Sequence, residues 1–278
     1  MIDILNALKK VCIQYSFMSM GKFWDIVENV IDSSDFVIEV IDARMPEMTR
    51  NKYAENLVES KDKKLIIVAN KSDFLSKEAA ELYKKNFGKI PFLFVSIRNR
   101  KGVTILKRKL FEIIENRKID SMINIGVIGY PNTGKSSLIN ALCGRRAIAV
   151  GSKPGTTRCG QLVKMISSIM LIDTPGVIPM SDCDETRQIL MNTLDPSNAK
   201  RIDVAAAEIV RIFLEQNKKA FEGLYKVETE GKPFGVIVEE IGESKKMLIK
   251  GGKVDVRRVY LKLIDDWQKG NILLKDNQ

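Results

Sequence analysis

INIGVIGYPNTGKSSL, from Ile123 to Leu138, contains the spacing G-x-x-x-x-G-K-S from Gly129 to Ser136. The apolar run that begins this stretch has the length and β-branched content of a buried strand, and the following SSLINAL is typical of a helix. The two glycines therefore lie in a strand-to-helix turn, where backbone N–H groups can surround a phosphate. This context favours a phosphate-binding loop over a glycine turn that matches by chance.

The residues of this loop have distinct predicted roles. Lys135 would contact the β- and γ-phosphates of a nucleotide and act in catalysis, and Ser136 would ligate Mg²⁺. The nucleotide-binding residues predicted here are Asn132, Thr133, Gly134, Lys135, Ser136 and Ser137.

A second loop identifies the base. The strand-like run Leu65–Ala69 leads directly into Asn70-Lys71-Ser72-Asp73, an N-K-x-D tetrapeptide. The Asp73 carboxylate can accept two hydrogen bonds from guanine, whereas adenine offers no such pair of donors. The methylenes of Lys71 can lie along the base, and Asn70 can tie this loop to the phosphate loop. The predicted nucleotide is GTP rather than ATP.

A third loop, SIRNRKG from Ser96 to Gly102, follows the strand-like FLFV of Phe92–Val95. It resembles the S-A-x-x-x-x-G loop whose backbone N–H contacts the guanine oxygen, with Ile97 in place of the usual alanine. The helix after it carries Lys101, Lys107, Arg108 and Lys109 on its outer face. These cations are either solvated or in contact with an RNA backbone.

The switch motifs come last. In SKPGTTR (152–158), Thr157 is the predicted residue that closes over Mg²⁺ and the γ-phosphate, and Thr156 is the second candidate. In DTPG (173–176), Asp173 is predicted to hold Mg²⁺ through water, and the Gly176 N–H to contact the γ-phosphate in catalysis. Val177 follows where classical GTPases carry a water-orienting glutamine, and the chain has no histidine to act as an imidazole base.

The order of these motifs is reversed relative to ordinary GTPases, because the base-reading loops precede the phosphate loop. Since each motif follows a strand of a predicted parallel sheet, moving the chain ends elsewhere leaves the site intact, and the order indicates a circular permutation. One further motif, Asp42-Ala43-Arg44, follows the strand-like Phe36–Asp42. It is either an ordinary strand-end turn or a part of the site.

In these features the chain resembles the circularly permuted ribosome-assembly GTPases of the YlqF/RbgA type. The resemblance rests on the motif order, on DAR, on GYPNTGKSS, PGTTR and DTPG, and on the C-terminal LIKGGKVDVRRVYLKLIDDWQKGNI. It implies GTP hydrolysis coupled to binding and maturation of the large ribosomal subunit. Because valine cannot orient water, our hypothesis is that hydrolysis is slow alone and rises with K⁺ and with ribosomal RNA or subunits. It also implies that Asn132 ligates K⁺, although the residue pattern alone equally allows a plain turn residue there.

The expected fold class is α/β, with a mostly parallel six-stranded sheet and a C-terminal all-α domain. The expected domains are an N-terminal helical segment (1–34), a circularly permuted GTPase domain (35–180) and a helical, RNA-binding domain (181–278). Asp195-Pro196 is predicted to open a helix in the last domain, and the final helix is predicted to begin at Asp255 and end at Gly270. Because the segment after DTPG leads directly into this domain, its orientation is predicted to follow the γ-phosphate.

Charge suggests the partner. Residues 61–180 carry 22 basic and 8 acidic side chains, a net charge of +14, which favours a polyanionic partner such as rRNA. Residues 244–262 carry seven basic side chains against Asp255 alone. The predicted RNA contacts among them, whose alternative is a solvated helix face, are Lys245, Lys246, Lys250, Lys253, Arg257, Arg258 and Lys262.

Composition limits the remaining classes. No apolar run reaches the roughly 18 residues of a membrane span, and the four cysteines form no C-x-x-C pair, so a cytoplasmic protein without zinc or membrane contact is expected. A monomer is also expected. Two other functions stay open: an RNA-binding module gated by nucleotide with incidental hydrolysis, and a GTPase accessory to tRNA modification. The latter would need a modifying domain or catalytic cysteine motif that the sequence does not show.

Overall fold

The computed structural model of the protein describes residues 24–87, 90–115, 122–148, 161–178 and 184–272. The chain forms two compact units. The first contains the described residues up to Asp73 and from Lys84 to 178; the second contains Phe74–Tyr83 and the described residues from 184 onward. A helical pattern in the first 20 residues lies outside the described residues.

A six-stranded sheet in the order β3-β2-β1-β4-β6-β5 forms the first unit. Its strands are β1 (Phe36–Asp42), β2 (Lys64–Asn70), β3 (Phe92–Phe94), β4 (Ile123–Ile128), β5 (Gln161–Ile166) and β6 (Ile169–Asp173). Neighbouring strands are parallel except β5, which is antiparallel to β6. The predicted fold class is therefore confirmed. Strands β1, β2 and β3 agree with their sequence predictions to within one residue at either end, and β4 coincides with the apolar run that begins at Ile123.

Burial follows the position of each strand in the sheet. All seven residues of β1 are buried, because helices cover both faces of a central parallel strand and its sequence is nearly continuously apolar. On the edge strand β5, only Val163 is buried. The helices of this unit are α1 (24–33), α2 (Pro46–Thr49), α3 (Lys52–Ser60), α5 (Val103–Glu115) and α6 (Lys135–Cys143). A further helix, α4 (Lys77–Asn86), begins in the second unit and ends in the first.

The sheet order determines where a ligand can bind. From β1 the chain proceeds to β2 and β3 on one side, and β4 then lies on the other side of β1. Open α/β sheets bind ligands at such a reversal, beyond the carboxyl ends of the strands. The motifs after β1, β2, β3, β4 and β6 all lie at this edge.

The second unit is helical, with α7 (Glu185–Leu190), α8 (Ile202–Tyr225), α9 (Phe234–Ser244) and α10 (Val256–Lys269). The prediction that Asp195 opens a helix is wrong in part: Asp195 caps a 3₁₀ turn at Pro196–Asn198, and α8 begins only at Ile202. The end of the chain is as predicted, since the Asp255 side chain accepts from the Arg258 N–H and Gly270 ends α10 at φ 68°.

Two features complete this unit. Leu248 and Val254 form an isolated antiparallel bridge between α9 and α10, so the unit is not purely helical. Its core contains Trp267, whose indole Nε1–H donates to the Leu190 carbonyl at 2.8 Å, and Tyr225, whose hydroxyl donates to Asp266 Oδ2 at 2.7 Å. None of the helices in the described ranges has both the length and the apolar character needed to cross a bilayer.

Candidate nucleotide-binding site

The phosphate loop connects β4 to α6 and needs glycine at two positions. Gly129 has φ 138°, and a Cβ there would lie 2.3 Å from the Val40 carbonyl oxygen. Gly134 has φ 101°, and a Cβ there would lie 2.3 Å from Asn70 Nδ2. Between them Asn132 occupies the left-handed region at φ 60°. A side chain at Gly129 would therefore clash with the backbone of β1, and one at Gly134 would displace the amide of Asn70.

Lys135 begins α6 with its side chain folded into the loop. Its Nζ donates to the carbonyls of Gly129 at 3.0 Å and Tyr130 at 2.8 Å. Burial lowers the pKa of Lys135 to about 8, an effect that the charge of Asp173 partly opposes. The charge of a bound phosphate would favour the protonated ammonium in the same way.

Two predicted Mg²⁺ ligands meet beside this lysine. The Ser136 hydroxyl donates to Asp173 Oδ2 at 2.7 Å, and Asp173 is fully buried at the end of β6. A hydroxyl and a carboxylate oxygen side by side suit a hard cation that takes its remaining ligands from phosphate and water. The residues present therefore fit Mg²⁺. Thr156 and Thr157 lie outside the described residues.

The DTPG loop approaches the phosphate loop closely. A Cβ on Gly176 would lie 2.5 Å from Pro131 Cα, so the backbones are in contact there. The Thr174 hydroxyl donates to the Val127 carbonyl at 2.7 Å. Val177 packs in an apolar cluster with Trp24, Val27 and Ile31 of α1. A buried valine offers no hydrogen bond to an attacking water, in agreement with the sequence analysis, which finds valine in place of the water-orienting glutamine.

The base-reading loops are bonded to each other and to the phosphate loop. Asn70 Nδ2 donates to the Thr133 carbonyl at 2.9 Å, and the Ile97 N–H donates to Asn70 Oδ1 at 3.4 Å. The Ser96 hydroxyl donates to Asp73 Oδ1 at 2.7 Å. The structure thus brings together Asn70, Lys71, Ser72, Asp73, Ser96 and Ile97 with the phosphate-loop set Asn132, Thr133, Gly134, Lys135, Ser136 and Ser137, and with Gly176.

Sequence reasoning left the role of Asp42 and Arg44 open, and the structure places both beside the base-reading loop. Asp42 ends β1, directly opposite Asn70 in the sheet. Its carboxylate accepts from Arg44 and, at 2.7 Å, from Lys71 Nζ. Burial opposes ionisation, but the charges of Arg44 and Lys71 hold the pKa of Asp42 well below its usual range. In the sequence, this placement is indicated by the position of D-A-R at the end of β1, the strand that precedes β2 and its N-K-x-D loop.

The seven predicted RNA-contact cations fall into two groups. Lys262 pairs with Asp266, and Lys245 donates to the Leu224 carbonyl and lies over the Tyr225 ring. The other five are exposed, and no carboxylate of the described residues pairs with them: Lys246, Lys250, Lys253, Arg257 and Arg258. Among the outward cations of α5, Arg108 and Lys109 both pair with Glu112.

Comparisons with known proteins support classification as a GTPase. Residues 26–181, more than half of the chain, match the RsgA GTPase family, and residues 124–240 match the family described as 50S ribosome-binding GTPase. An uncharacterized GTP-binding protein of Methanocaldococcus jannaschii is 35% identical over 89% of this chain and 65% of its own length. Nucleolar GTP-binding protein 2 of Saccharomyces cerevisiae is 32% identical over 90% of this chain and 52% of its own length.

The fold has a solved counterpart. YlqF from T. maritima, crystallised with GNP, superposes with a TM-score of 0.64 at 21% identity, covering 91% of this chain and 97% of that one. The chain is thus shorter than its archaeal and nucleolar relatives, spanning about two thirds of the former and half of the latter, and is similar in fold to YlqF along nearly its whole length. With this motif order, this sheet and the family match over residues 26–181, the chain belongs to the RsgA GTPase family, in a circularly permuted form, and shares its fold with YlqF.

Proposed function

We propose that the protein is a GTP-hydrolysing switch in the assembly of the large ribosomal subunit, and that it binds rRNA in a nucleotide-dependent way. The observation that carries the proposal is the hydrogen bond from Asn70 to the Thr133 carbonyl, which joins the guanine-reading loop to the phosphate loop. A single nucleotide can therefore contact both. The 50S ribosome-binding family match and the nucleolar relatives support the ribosomal partner.

The residues of the site have separate proposed roles. Asp73 reads guanine, Lys135 neutralises phosphate charge, Ser136, Asp173 and Thr157 hold Mg²⁺, and the Gly176 N–H contacts the γ-phosphate. The metal, when bound, offsets charge that develops on the phosphate oxygens. Since Val177 is buried among apolar residues, stimulation must come from elsewhere, and K⁺ held by Asn132 and contact with the subunit are the proposed sources.

Base specificity tests the guanine reader. Xanthine carries a carbonyl where guanine carries its exocyclic amine, so a donor should replace the acceptor at residue 73. Asp73→Asn is expected to lower GDP affinity at least tenfold and to favour xanthosine diphosphate, measured by competition with a fluorescent nucleotide. Unchanged preference for guanine would refute the assignment of Asp73.

Turnover tests the switch. GTP hydrolysis should rise on addition of 50S particles, and it should be faster in KCl than in NaCl at equal ionic strength. An RNA-binding module with incidental hydrolysis would show no stimulation by the subunit. Equal rates in the two salts, together with an Asn132→Ala variant that hydrolyses GTP normally, would remove K⁺ from the mechanism.

The C-terminal unit is the proposed rRNA contact, through five exposed cations at 246–258. Reversing Lys253, Arg257 and Arg258 to glutamate should weaken 50S binding and reduce its salt dependence, because fewer counterions are released. The matched control reverses Lys200, Arg201 and Lys219, three exposed cations of the same unit. If both triple variants bind equally well, the 246–258 surface is not the contact.

The proposal extends to architecture and location. The 181–278 segment acts as the RNA-binding domain of a cytoplasmic monomer, and the 35–180 domain hydrolyses GTP. Because the chain runs from DTPG into 181–278, the γ-phosphate is proposed to alter the orientation of that domain. Crystals with GDP and with a non-hydrolysable GTP analogue should differ in this orientation; identical orientations in a molecule free to move would contradict it.

A further inference from the structure

The D-A-R motif at Asp42–Arg44 is a buried ionic cluster at the end of β1. Asp42 Oδ1 accepts from the Arg44 backbone N–H and from Arg44 Nε, both at 3.0 Å. Asp42 Oδ2 accepts from Arg44 Nη2 and from Lys71 Nζ, both at 2.7 Å. One carboxylate thus holds two cations, of which Lys71 belongs to the N-K-x-D loop.

The backbone of the same segment holds the loop as well. Asp42 and Asn70 are directly opposite in the β1–β2 register, and the Ala43 N–H donates to the Asn70 carbonyl at 2.8 Å. The Asp42 N–H in turn donates to Thr49 Oγ1 at 3.0 Å, which fixes the end of β1 against α2. The strand end that carries Asp42 therefore has little freedom to move relative to Asn70.

Lys71 needs such support because of its conformation. Its φ of 65° lies in the left-handed region, which residues other than glycine adopt only where their surroundings hold them. The ammonium is anchored inward on Asp42, while 28% of the side chain remains exposed. The methylene stem of Lys71 is thus held in one place between a buried anchor and solvent.

We propose that Asp42 is a positioning residue for guanine binding: by holding the Lys71 ammonium it fixes the lysine stem and the N-K-x-D loop in the conformation that accepts the base. The inference rests on the proposed function, since it assigns a role to Asp42 within the same guanine site. Arg44 clamps the carboxylate from the other side, so that Oδ2 stays directed at Lys71. Removing the carboxylate would leave two cations facing each other in a buried cluster.

A purely structural brace between β1 and β2 is the alternative, and the two roles differ in what they change. A brace affects stability alone, whatever residue stands at position 71. A positioning residue affects nucleotide affinity, and only through Lys71. Within the described residues, neither Asp42 nor Lys71 hydrogen-bonds to the phosphate loop or to DTPG. Loss of the Asp42 carboxylate should therefore raise the KM for GTP and leave kcat at saturation unchanged.

The test measures the GDP dissociation constant, the GTP KM and kcat, and thermal stability for Asp42→Asn, Lys71→Met and the double variant. We expect each single variant to weaken GDP binding about tenfold, and the double variant to bind no more weakly than Lys71→Met. The control is Glu55→Gln, which removes the carboxylate of another buried ion pair. In that pair Glu55 Oε2 lies 2.6 Å from Arg50 Nη2, and both residues follow α2 in the chain, whereas Asp42 precedes it. It should leave GDP affinity unchanged.

Additive losses of affinity in the double variant, or an Asp42→Asn protein that is less stable but binds GDP normally, would overturn the proposal. If Asp42→Asn does not fold, Lys71→Met decides, because it leaves the Asp42–Arg44 pair intact; normal GDP binding by this variant refutes the positioning role. Asp73→Asn separates the two levels of inference. If Asp73→Asn loses its preference for guanine while Asp42→Asn binds GDP normally, the proposed function stands and only the positioning role of Asp42 is refuted.

Discussion

Glu39 shows how a single buried residue can make stability depend on pH. It lies in the middle of β1, fully buried, and its Oε1 accepts from the Asn51 N–H at 2.6 Å. Burial first, and then the negative charge of Glu55, raise the pKa of Glu39 from 4.5 to about 8. At neutral pH the folded protein therefore keeps a proton that the unfolded chain has lost.

The sign of the pH effect follows. The contribution of Glu39 to the stability of the folded protein is fully present below pH 4.5 and is lost as the pH rises to about 8. Glu39→Gln, which mimics the protonated acid at every pH, should be more stable than the wild type by about 4 kcal/mol at pH 8.5 and by less than about 1 kcal/mol at pH 5. Urea unfolding at both pH values measures this. Exposed Glu47→Gln is the control, and an equal gain for Glu39→Gln at both pH values would contradict the assignment.

Gly134 is a second residue whose effect is specific to its place. Gly134→Ala should disrupt the Asn70–Thr133 hydrogen bond, because the new Cβ would lie 2.3 Å from Asn70 Nδ2. GDP affinity should fall at least tenfold. The control is Gly144→Ala at the end of α6, which also has positive φ but no atom within 4 Å of the new Cβ. It should lose about 1 kcal/mol of stability while binding GDP normally; a similar affinity for both variants would refute the argument.

Gly223 of α8 and Gly242 of α9 have different surroundings. Gly223, near the end of α8, is exposed and has no atom within 4 Å of a Cβ built there. Gly242, near the end of α9, is buried, and a Cβ there would lie 2.1 Å from Val254 Cγ1. The first glycine only weakens its helix, whereas the second allows the Leu248–Val254 bridge to pack against α9.

Opposite effects on stability are therefore expected from the same substitution. Gly223→Ala should stabilise the second unit by about 0.5–1 kcal/mol, since alanine is the better helix former. Gly242→Ala should destabilise it by about 1–3 kcal/mol through overpacking against Val254. Thermal unfolding of the two variants compares them directly. Unfolding temperatures that shift in the same direction in both variants would contradict the close packing of Gly242 against Val254.

The two tryptophans of the protein report on different units. Trp24 lies in the first unit, in the cluster that contains Val177, and Trp267 lies in the core of the second. Val177 follows directly after Gly176, the predicted γ-phosphate contact. A change in the DTPG loop should therefore alter the surroundings of Trp24.

Fluorescence can detect this change. In a Trp267→Phe protein, the emission of Trp24 should differ between the complexes with GDP and with a non-hydrolysable GTP analogue. Val177→Ala should reduce the difference, because it removes part of the contact between the DTPG loop and α1. Identical emission spectra in the two complexes would indicate that the loop does not transmit the γ-phosphate to this cluster.

The strands that precede the base-reading and phosphate loops, the circular permutation and the guanine nucleotide could all be predicted from the amino-acid sequence. These follow from local patterns: an apolar run predicts a buried strand, and the spacing of G-x-x-x-x-G-K-S and N-K-x-D places their functional groups within one turn. The caps Asp255 and Gly270 were predictable for the same reason. The start of α8 was not, because the cap at Asp195 serves only the short 3₁₀ turn before it.

Contacts between residues far apart in the chain could not be predicted in this way. Asp42 and Lys71 are 29 positions apart, and their contact depends on the register of β1 against β2. Phe74 directly follows Asp73, the proposed guanine reader, yet Phe74 belongs to the second unit, where it packs against Gly270. Charge counts also could not show that Lys262 is paired with Asp266 while Arg257 is exposed. Such contacts depend on how elements pack in space, which spacing along the chain does not encode.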